Sequence, residues 1–286
     1  MAVKKEVDQA VLSVIMPLRG PIYDLRYLEY LVRETDRLEI EFIVVHDKHD
    51  EQTSIQLCRL HSDAKAKNFK LYESVFNSPG LARNKGLLEA SGEWIAFWDS
   101  DDQPNPAKFV EMVRLGELNR SEIVIGNFLV LAKSLEYQSR GTLTKSKKLQ
   151  LISNPGLWRM AFRSTIAKEC RFIPSLMGED QVYLVDLRLF DRNIYWHKDN
   201  VYKYKTGEAN QLTAAYKNID SLHQTVRALF ERSESLSTEK GNFGILVLYR
   251  LLLTGILRGN LEMKIRFLRL ALISSPLGLR RMLKKS

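Results

Sequence analysis

Four short apolar runs, at residues 11–16, 41–45, 70–75 and 94–98, alternate with helical signals through the first hundred residues. Strands separated by helices pair side by side into a mostly parallel sheet, with the helices covering its faces. Residues 25–38 place Leu25, Leu28, Leu31, Val32 and Leu38 near helical spacing. A second helix is expected over 53–67. Ser78-Pro79-Gly80 reads as a turn, followed by a helix over 81–90 that stops at Gly92. Asn105-Pro106 opens another, with Asn as N-cap and Pro at the first helical position. The expected fold is α/β: a Rossmann-like, mostly parallel sheet flanked by helices.

Beyond residue 105 the signals are less regular. A strand is expected over 123–131, and a loop or exposed hairpin over the polar, Lys-rich stretch 133–150. Helices are expected over 158–168, 179–190 and 221–234, and short strands over 194–197 and 201–204. Residues 235–241 read as a linker, and the rest as a basic helical appendage. The formal net charge of +9 sits there: from Lys240 to Ser286 there are ten basic residues and one acid, Glu262. Any anionic partner is therefore a matter for the tail. Cys58 and Cys170 make neither a disulfide framework nor a CxxC metal site, which suits a reducing cytosol. The first nine residues are charged and the run that follows is short, so it reads as a strand rather than a signal peptide.

The chemistry is concentrated in four carboxylates. Asp99, Asp101 and Asp102 follow the 94–98 run directly, and Asp180 lies in Gly178-Glu179-Asp180. The first three fall at the carboxyl end of a parallel strand, where open α/β sheets bind ligands. Packed carboxylates repel one another unless a cation lies between them. A hard divalent ion, Mn²⁺ or Mg²⁺, is the simplest partner, and such ions also hold phosphate oxygens. A metal–diphosphate ligand follows. Ser100 is a small spacer: in extended backbone alternate side chains share a face, so Asp99 and Asp101 can point the same way. Read alone, Asp102 is equally a turn or cap residue, and Glu179-Asp180 a pair complementing a helix N-terminus.

The order and spacing of several motifs resemble the GT-A glycosyltransferases of family 2. Ser13-Val14-Ile15-Met16-Pro17 and Val44-Val45-His46-Asp47 resemble the family's opening. Gly80-Leu-Ala-Arg-Asn-Lys-Gly86 with Ala90-Ser-Gly-Glu-Trp-Ile-Ala-Phe-Trp-Asp-Ser-Asp-Asp102 resembles its long central motif, and Gly178-Glu179-Asp180 its later acidic one. The resemblance covers about residues 11–215. It implies a nucleotide-sugar donor, a divalent metal and transfer with inversion. Pro17, Asp47, Arg83, Asp99, Ser100 and Asp101 would line the donor side, with Asp47 at the base or ribose. Asp99 and Asp101 would be the DxD motif, Asp101 making the direct metal contact. Asp180 would be the catalytic base, with Glu179 orienting it or touching the acceptor. The implied division is a catalytic domain over 1–220, with 11–105 as its nucleotide-sugar half and 106–220 as its acceptor side, and a helical basic region over 221–286. His46 replaces the first acid of the usual Asp-Asp pair, and Lys48-His49 the Gly-Ser that commonly follows. These departures bear on nucleotide identity; UDP is the default.

Trp158 and Arg159 line the acceptor pocket on one reading and belong to the core on the other. Gln211-Leu-Thr213 resembles a short family segment near the donor phosphates. The five histidines have no metal-ligand spacing and read as structural or exposed. Gln224-Thr-Val-Arg227-Ala228 lacks the Trp of the processive synthases, so a non-processive, hexosyltransferase-type enzyme moving one sugar is expected. The tail's apolar runs fall short of the roughly 18–20 residues that span a bilayer. Residues 261–273 and 277–283 mix bulky apolar and basic positions, which suits a helix lying in an anionic membrane surface. The alternatives are a helical subdomain packed on the catalytic domain and a dimer interface. No nucleic-acid motif is evident. A peripheral protein at the inner face of the plasma membrane, acting on a glycan or lipid-linked glycan of bacterial surface polysaccharide or lipopolysaccharide, is the resulting expectation. The competing classes are a GT-A nucleotide-binding module without activity and a metal-dependent phosphohydrolase or glycosidase.

Overall fold

The computed structural model describes residues 11–273 apart from 49, 65, 133–134, 139–145, 207–218, 233–242 and 259–260. The expected linker at 235–241, the 211–213 segment and the last basic stretch lie outside the described residues. The amino-terminal half is four parallel strands, β1 (Leu12–Arg19), β2 (Glu41–Asp47), β3 (Phe69–Ser74) and β4 (Trp94–Phe97), in the order β3-β2-β1-β4. Between them run α1 (Leu25–Arg37), α2 (Glu51–Ala64) and α3 (Pro79–Glu89). Ser78 caps α3, its side chain accepting from the Leu81 N–H, and Pro79 opens it. The expected turn is thus the helix start, because Pro suits a position whose N–H has no intrahelical partner.

Side chains alternate across these strands. Val14, Met16, Phe42, Val44, Trp94 and Trp98 face one side, with Leu28, Leu31 and Val32 of α1 and Phe109 and Met112 of α4 (Pro106–Leu118). Ile15, Ile43, Val45, Ile95 and Phe97 face the other, with Ala82 and Leu87 of α3. Each Val, Leu, Ile, Phe or Met among them contributes about 1.5–3 kcal/mol on full burial. Asn105 caps α4 through the Lys108 N–H, as expected.

The pairing of β1 with β4 stops at Ile15–Phe97, whereas its pairing with β2 runs on to Arg19–Asp47. The strand therefore passes through Pro17 instead of ending there. Beyond that point β1 has a neighbour on one side only, where a residue without an N–H is tolerated. The sheet opens between β1 and β4, the point where strand order reverses, and the acids of 99–102 lie at that opening.

The carboxyl-terminal half makes the sheet mixed. β8 (Met160–Arg163) runs antiparallel between β4 and β6 (Ile123–Ala132); β9 (Ile194–Thr206) lies parallel to β6, and β5 (Gln103–Pro104) closes the edge on β9. β7 (Leu135–Gln138) forms a hairpin with β6, and α5 (Lys147–Ser153) follows. The helix expected over 158–168 is instead a 3-10 turn (Leu157–Arg159), β8 and the four-residue α6 (Ser164–Ala167). A short apolar run has no decisive period of its own, and the gap between β4 and β6 selects the strand. The two short strands expected over 194–204 are one, bent by irregularities opposite Asn127. α7 (Glu179–Asp186) ends before the expected 190, since Arg188 adopts φ +53° and starts a 3-10 turn.

Three more helices, α8 (Ile219–Glu231), α9 (Phe243–Arg258) and α10 (Leu261–Ile273), pack on this half. Leu222, Val226, Leu248, Leu251 and Phe267 join the same buried cluster as Phe97 and Val182. The tail's apolar runs are thus largely consumed in packing on the sheet domain. No helix among the described residues is long and apolar enough to cross a membrane.

Candidate active site

Arg83 holds the site together. It lies on α3, buried, and donates through Nη2 to Asp99 Oδ1 at 2.7 Å and through Nη1 to Glu179 Oε1 at 2.6 Å. Burial opposes its charge, but Asp99, Glu179 and Asp180 more than compensate and hold the guanidinium well above its ordinary pKa. The side chain also lies over the Phe172 ring. Glycine at 80 lets α3 come this close: a Cβ there would meet the Ile173 carbonyl oxygen at 2.5 Å and Glu179 Cγ at 3.2 Å.

Glu179 and Asp180 open α7 after Gly178, which takes φ +83°, a conformation natural to glycine. Burial pushes Asp180 up to about 7; Glu179 and Asp99 add to the rise, while Arg83 and Arg250 oppose it. Burial also raises Glu179 against the pull of Arg83. The two neighbouring acids are thus unlike: Glu179 is bound to a cation, and Asp180 is poised to exchange a proton near neutrality.

The acids after β4 divide in the same way. The Asp99 N–H donates to the Tyr202 hydroxyl at 2.9 Å. Asp102 is buried and accepts from the Lys205 N–H at 2.8 Å, which ties the loop to β9. Burial, then the charges of Asp101 and Asp99, push Asp102 well above the usual carboxylate range. Asp102 is a structural anchor. Asp101 is half-buried beside it, and Ser100 lines a small cavity with Met16, Leu18, Tyr27 and Lys205. Asp99 and Asp101 bring hard oxygens to the strand end, the charge of Asp99 met in part by Arg83, and such a donor set fits a divalent cation.

Other expected residues stand at varying distance from this centre. Asp47 ends β2, and its Oδ1 accepts from the N–H groups of Phe76 (2.7 Å) and Asn77 (3.1 Å), fixing the loop before α3. Arg19 lies 3.8 Å from its Oδ2. His46 is buried against Glu73 at 2.9 Å. Trp158 stacks on Tyr202 and Tyr204, at 4.6 and 5.2 Å between centroids, so it buttresses the ring that holds Asp99. Arg159 is fully buried, donates to the carbonyls of Gly126 and Asn154, and is depressed to about 10 by burial. Sequence reasoning missed Tyr202 and Lys205, which no motif marks. It also missed a cluster of Glu111, His197 and Asp199, whose ligand atoms lie within 4.8 Å of one another. Lys108 already supplies a cation there, 2.8 Å from Glu111 and 2.7 Å from Asp199.

The profile of glycosyl transferase family 2 matches residues 13–168. The chain belongs to glycosyl transferase family 2. For a family 2 member the matched segment holds Pro17, Asp47, Arg83, Asp99 and Asp101, and stops short of Glu179 and Asp180. Among curated relatives, the chain is similar to the poly(ribitol-phosphate) beta-N-acetylglucosaminyltransferase TarS of Staphylococcus aureus strain Mu50, 24% identical over 228 residues, 76% of this chain and 39% of TarS. It is also similar to the GalNAc(5)-diNAcBac-PP-undecaprenol beta-1,3-glucosyltransferase of Campylobacter jejuni, 24% identical over 65% of this chain and 62% of that protein. The chain thus spans about two fifths of TarS. Among solved structures, TarS 1–349 in complex with UDP-GlcNAc superposes with a TM-score of 0.67 at 16% identity, over 91% of this chain and 79% of that one. The mannosyltransferase PcManGT from Pyrobaculum calidifontis, in complex with GDP-Man and Mn²⁺, gives 0.61 at 15% identity, over 98% and 80%. These likenesses show the GT-A fold.

Proposed function

We propose that this protein is an inverting, metal-dependent glycosyltransferase. It moves one sugar from a nucleoside-diphosphate sugar, UDP favoured, to a hydroxyl of a glycan or glycolipid acceptor. The observation that carries the reading is the Arg83 bridge, which joins the acids after β4 to Glu179, the neighbour of an acid poised near pH 7. TarS bound to UDP-GlcNAc and PcManGT bound to GDP-Man and Mn²⁺ support the ligand class.

In this reading Asp101 and Asp99 would hold a divalent ion, Mn²⁺ or Mg²⁺, which would offset the charge that builds on the departing diphosphate. Arg83 fixes Asp99 and adds a positive charge beside the donor. Asp47, Pro17 and Ser100 shape the nucleoside end. Asp180 accepts the proton of the attacking hydroxyl, a role worth about 10²–10⁴-fold. One base on the face opposite the leaving group is what inversion requires. Glu179, held by Arg83, orients the first turn of α7. Trp158 and Arg159 act from within the wall of the acceptor side.

The acceptor reading is bacterial surface polysaccharide or lipopolysaccharide, in line with the names of the relatives. Leu253, Leu257, Ile265 and Leu268 are exposed on α9 and α10, and Arg266 and Arg269 are exposed beside them. This supports docking of the helical region on an anionic membrane surface. The catalytic unit is taken as 1–220 and the docking region as 221–286.

The test is transfer from a panel of nucleotide sugars to lipid-linked and free glycan acceptors, with the anomeric configuration of the product read by NMR. One inverted linkage per acceptor, absent with Asp180→Asn, is expected. A retained configuration, a polymer made from one donor, or full activity in Asp180→Asn would overturn the reading.

A further inference from the structure

We propose that Arg250, carried into the site on α9, is a positioning residue for the Asp180 carboxylate: it clamps the first turn of α7 and sets a positive charge beside the acid. The inference rests on the reading of Asp180 as the acceptor-activating base. It makes the carboxyl-terminal helices part of the catalytic centre as well as a packed appendage.

The geometry is specific. Arg250 Nη2 donates to Gln181 Oε1 at 2.6 Å, and Nη1 donates to the Ser153 carbonyl, the last residue of α5, at 3.3 Å. Gln181 follows Asp180 directly, and its N–H donates to Asp180 Oδ1 at 2.9 Å. Arg250 thus grips the residue whose backbone holds the carboxylate. It splits an otherwise apolar helix in which Val247, Leu248, Leu251 and Leu252 are buried. A cation in such a place is costly unless a negative group faces it. Its hydrogen-bond acceptors among the described residues are neutral; burial lowers its pKa, and the charge of Asp180 opposes that fall.

The other charges around Asp180 are accounted for. Glu179 on the same helix and Asp99 after β4 disfavour its ionised form, and Arg83 on α3 favours it. Arg232 on α8 is engaged with Asp186 at the far end of α7, and Arg159 with two carbonyls. Arg83 is already shared between Asp99 and Glu179. Among the described residues, Arg250 is a cation of the helical region that reaches the first turn of α7, through Gln181 Oε1.

The experiment is a carboxyl ¹³C titration of the full chain labelled at aspartate, with the Asp180 resonance identified by its absence in Asp180→Asn. In Arg250→Gln, which keeps an amide donor and loses the charge, the Asp180 midpoint moves up by about one pH unit. Arg250→Lys returns it toward wild type. An unmoved midpoint in folded Arg250→Gln overturns the inference, and Arg250→Met gives the same reading should the glutamine variant not fold. The titration involves no turnover. The role of Asp180 as base is decided separately, by sugar transfer in Asp180→Asn.

Discussion

Arg83 and Glu179, 96 residues apart in the chain, meet in a buried ion pair at 2.6 Å. The same guanidinium reaches Asp99 at 2.7 Å, so one side chain couples the end of β4 to the start of α7. Removing it leaves Glu179 buried without its cation. Arg83→Met is therefore expected to lower stability by about 3–5 kcal/mol, measured by denaturant unfolding. Arg83→Lys keeps a charge but loses the two-pronged geometry, and it is expected to weaken nucleotide binding without unfolding the chain. A lysine variant that binds nucleotide as well as wild type would show that the fork is dispensable.

Asp180 supplies a pH dependence with a definite sign. Burial raises it to about 7, and only the ionised form accepts a proton. The transfer rate should climb as pH rises through about 7 and level off above it. Asp180→Asn should lose about 10²–10⁴-fold in rate while still binding the donor. A flat profile from pH 5.5 to 8.5, measured under saturating donor, would remove Asp180 from the proton transfer.

Gly178 is a second point of constraint. It holds φ +83° before α7, and a Cβ there would meet Cγ2 of the buried Thr225 on α8 at 2.9 Å. Gly178→Ala should cost about 1–3 kcal/mol through backbone strain alone. Thr225→Ser in the same chain should recover only the crowding part, so thermal melts of the two variants separate the terms.

At the other end of the sheet, Glu41 accepts from Lys70 Nζ at 2.5 Å, from the Ser91 hydroxyl and N–H at 2.8 and 2.7 Å, and from Ser13 Oγ. Burial opposes its charge, yet the bonds from Lys70, Ser13 and Ser91 prevail and hold it below its ordinary value of 4.5. A depressed carboxylate stabilises the folded state above its unfolded pKa, and that contribution is lost as pH falls below 4.5. Glu41→Gln should thus lower stability by about 1–3 kcal/mol at pH 7. The gap to wild type should narrow toward pH 3, as followed by calorimetric melts.

The parallel half of the fold was legible because each of its strands carries its own apolar run and each helix its own cap. Ser78, Asn105 and the prolines after them act locally, and local signals survive in a sequence. The acids of 99–102 could be placed at a strand end for the same reason. Residues 158–168 were misread as helix because β8 exists only through its two neighbours in the sheet, β4 and β6. Tyr202, Lys205 and Arg250 escaped notice because their partners, Asp99, Asp102 and Gln181, lie 103, 103 and 69 residues away. The basic count of the tail pointed toward a surface, while one of its arginines turns inward.

The proposed mechanism needs a metal-dependent nucleotide-sugar site built on Asp101 and Asp99, separate from the base at Asp180. Calorimetric titration of UDP, GDP and CMP into the full chain, with and without Mn²⁺, checks for that site. One nucleotide, UDP first, should bind with Mn²⁺, lose binding on chelation and in Asp101→Ala, and bind unchanged in Asp180→Asn. Binding that ignores both the metal and Asp101→Ala, or no binding of any nucleotide by folded protein, would rule that site out.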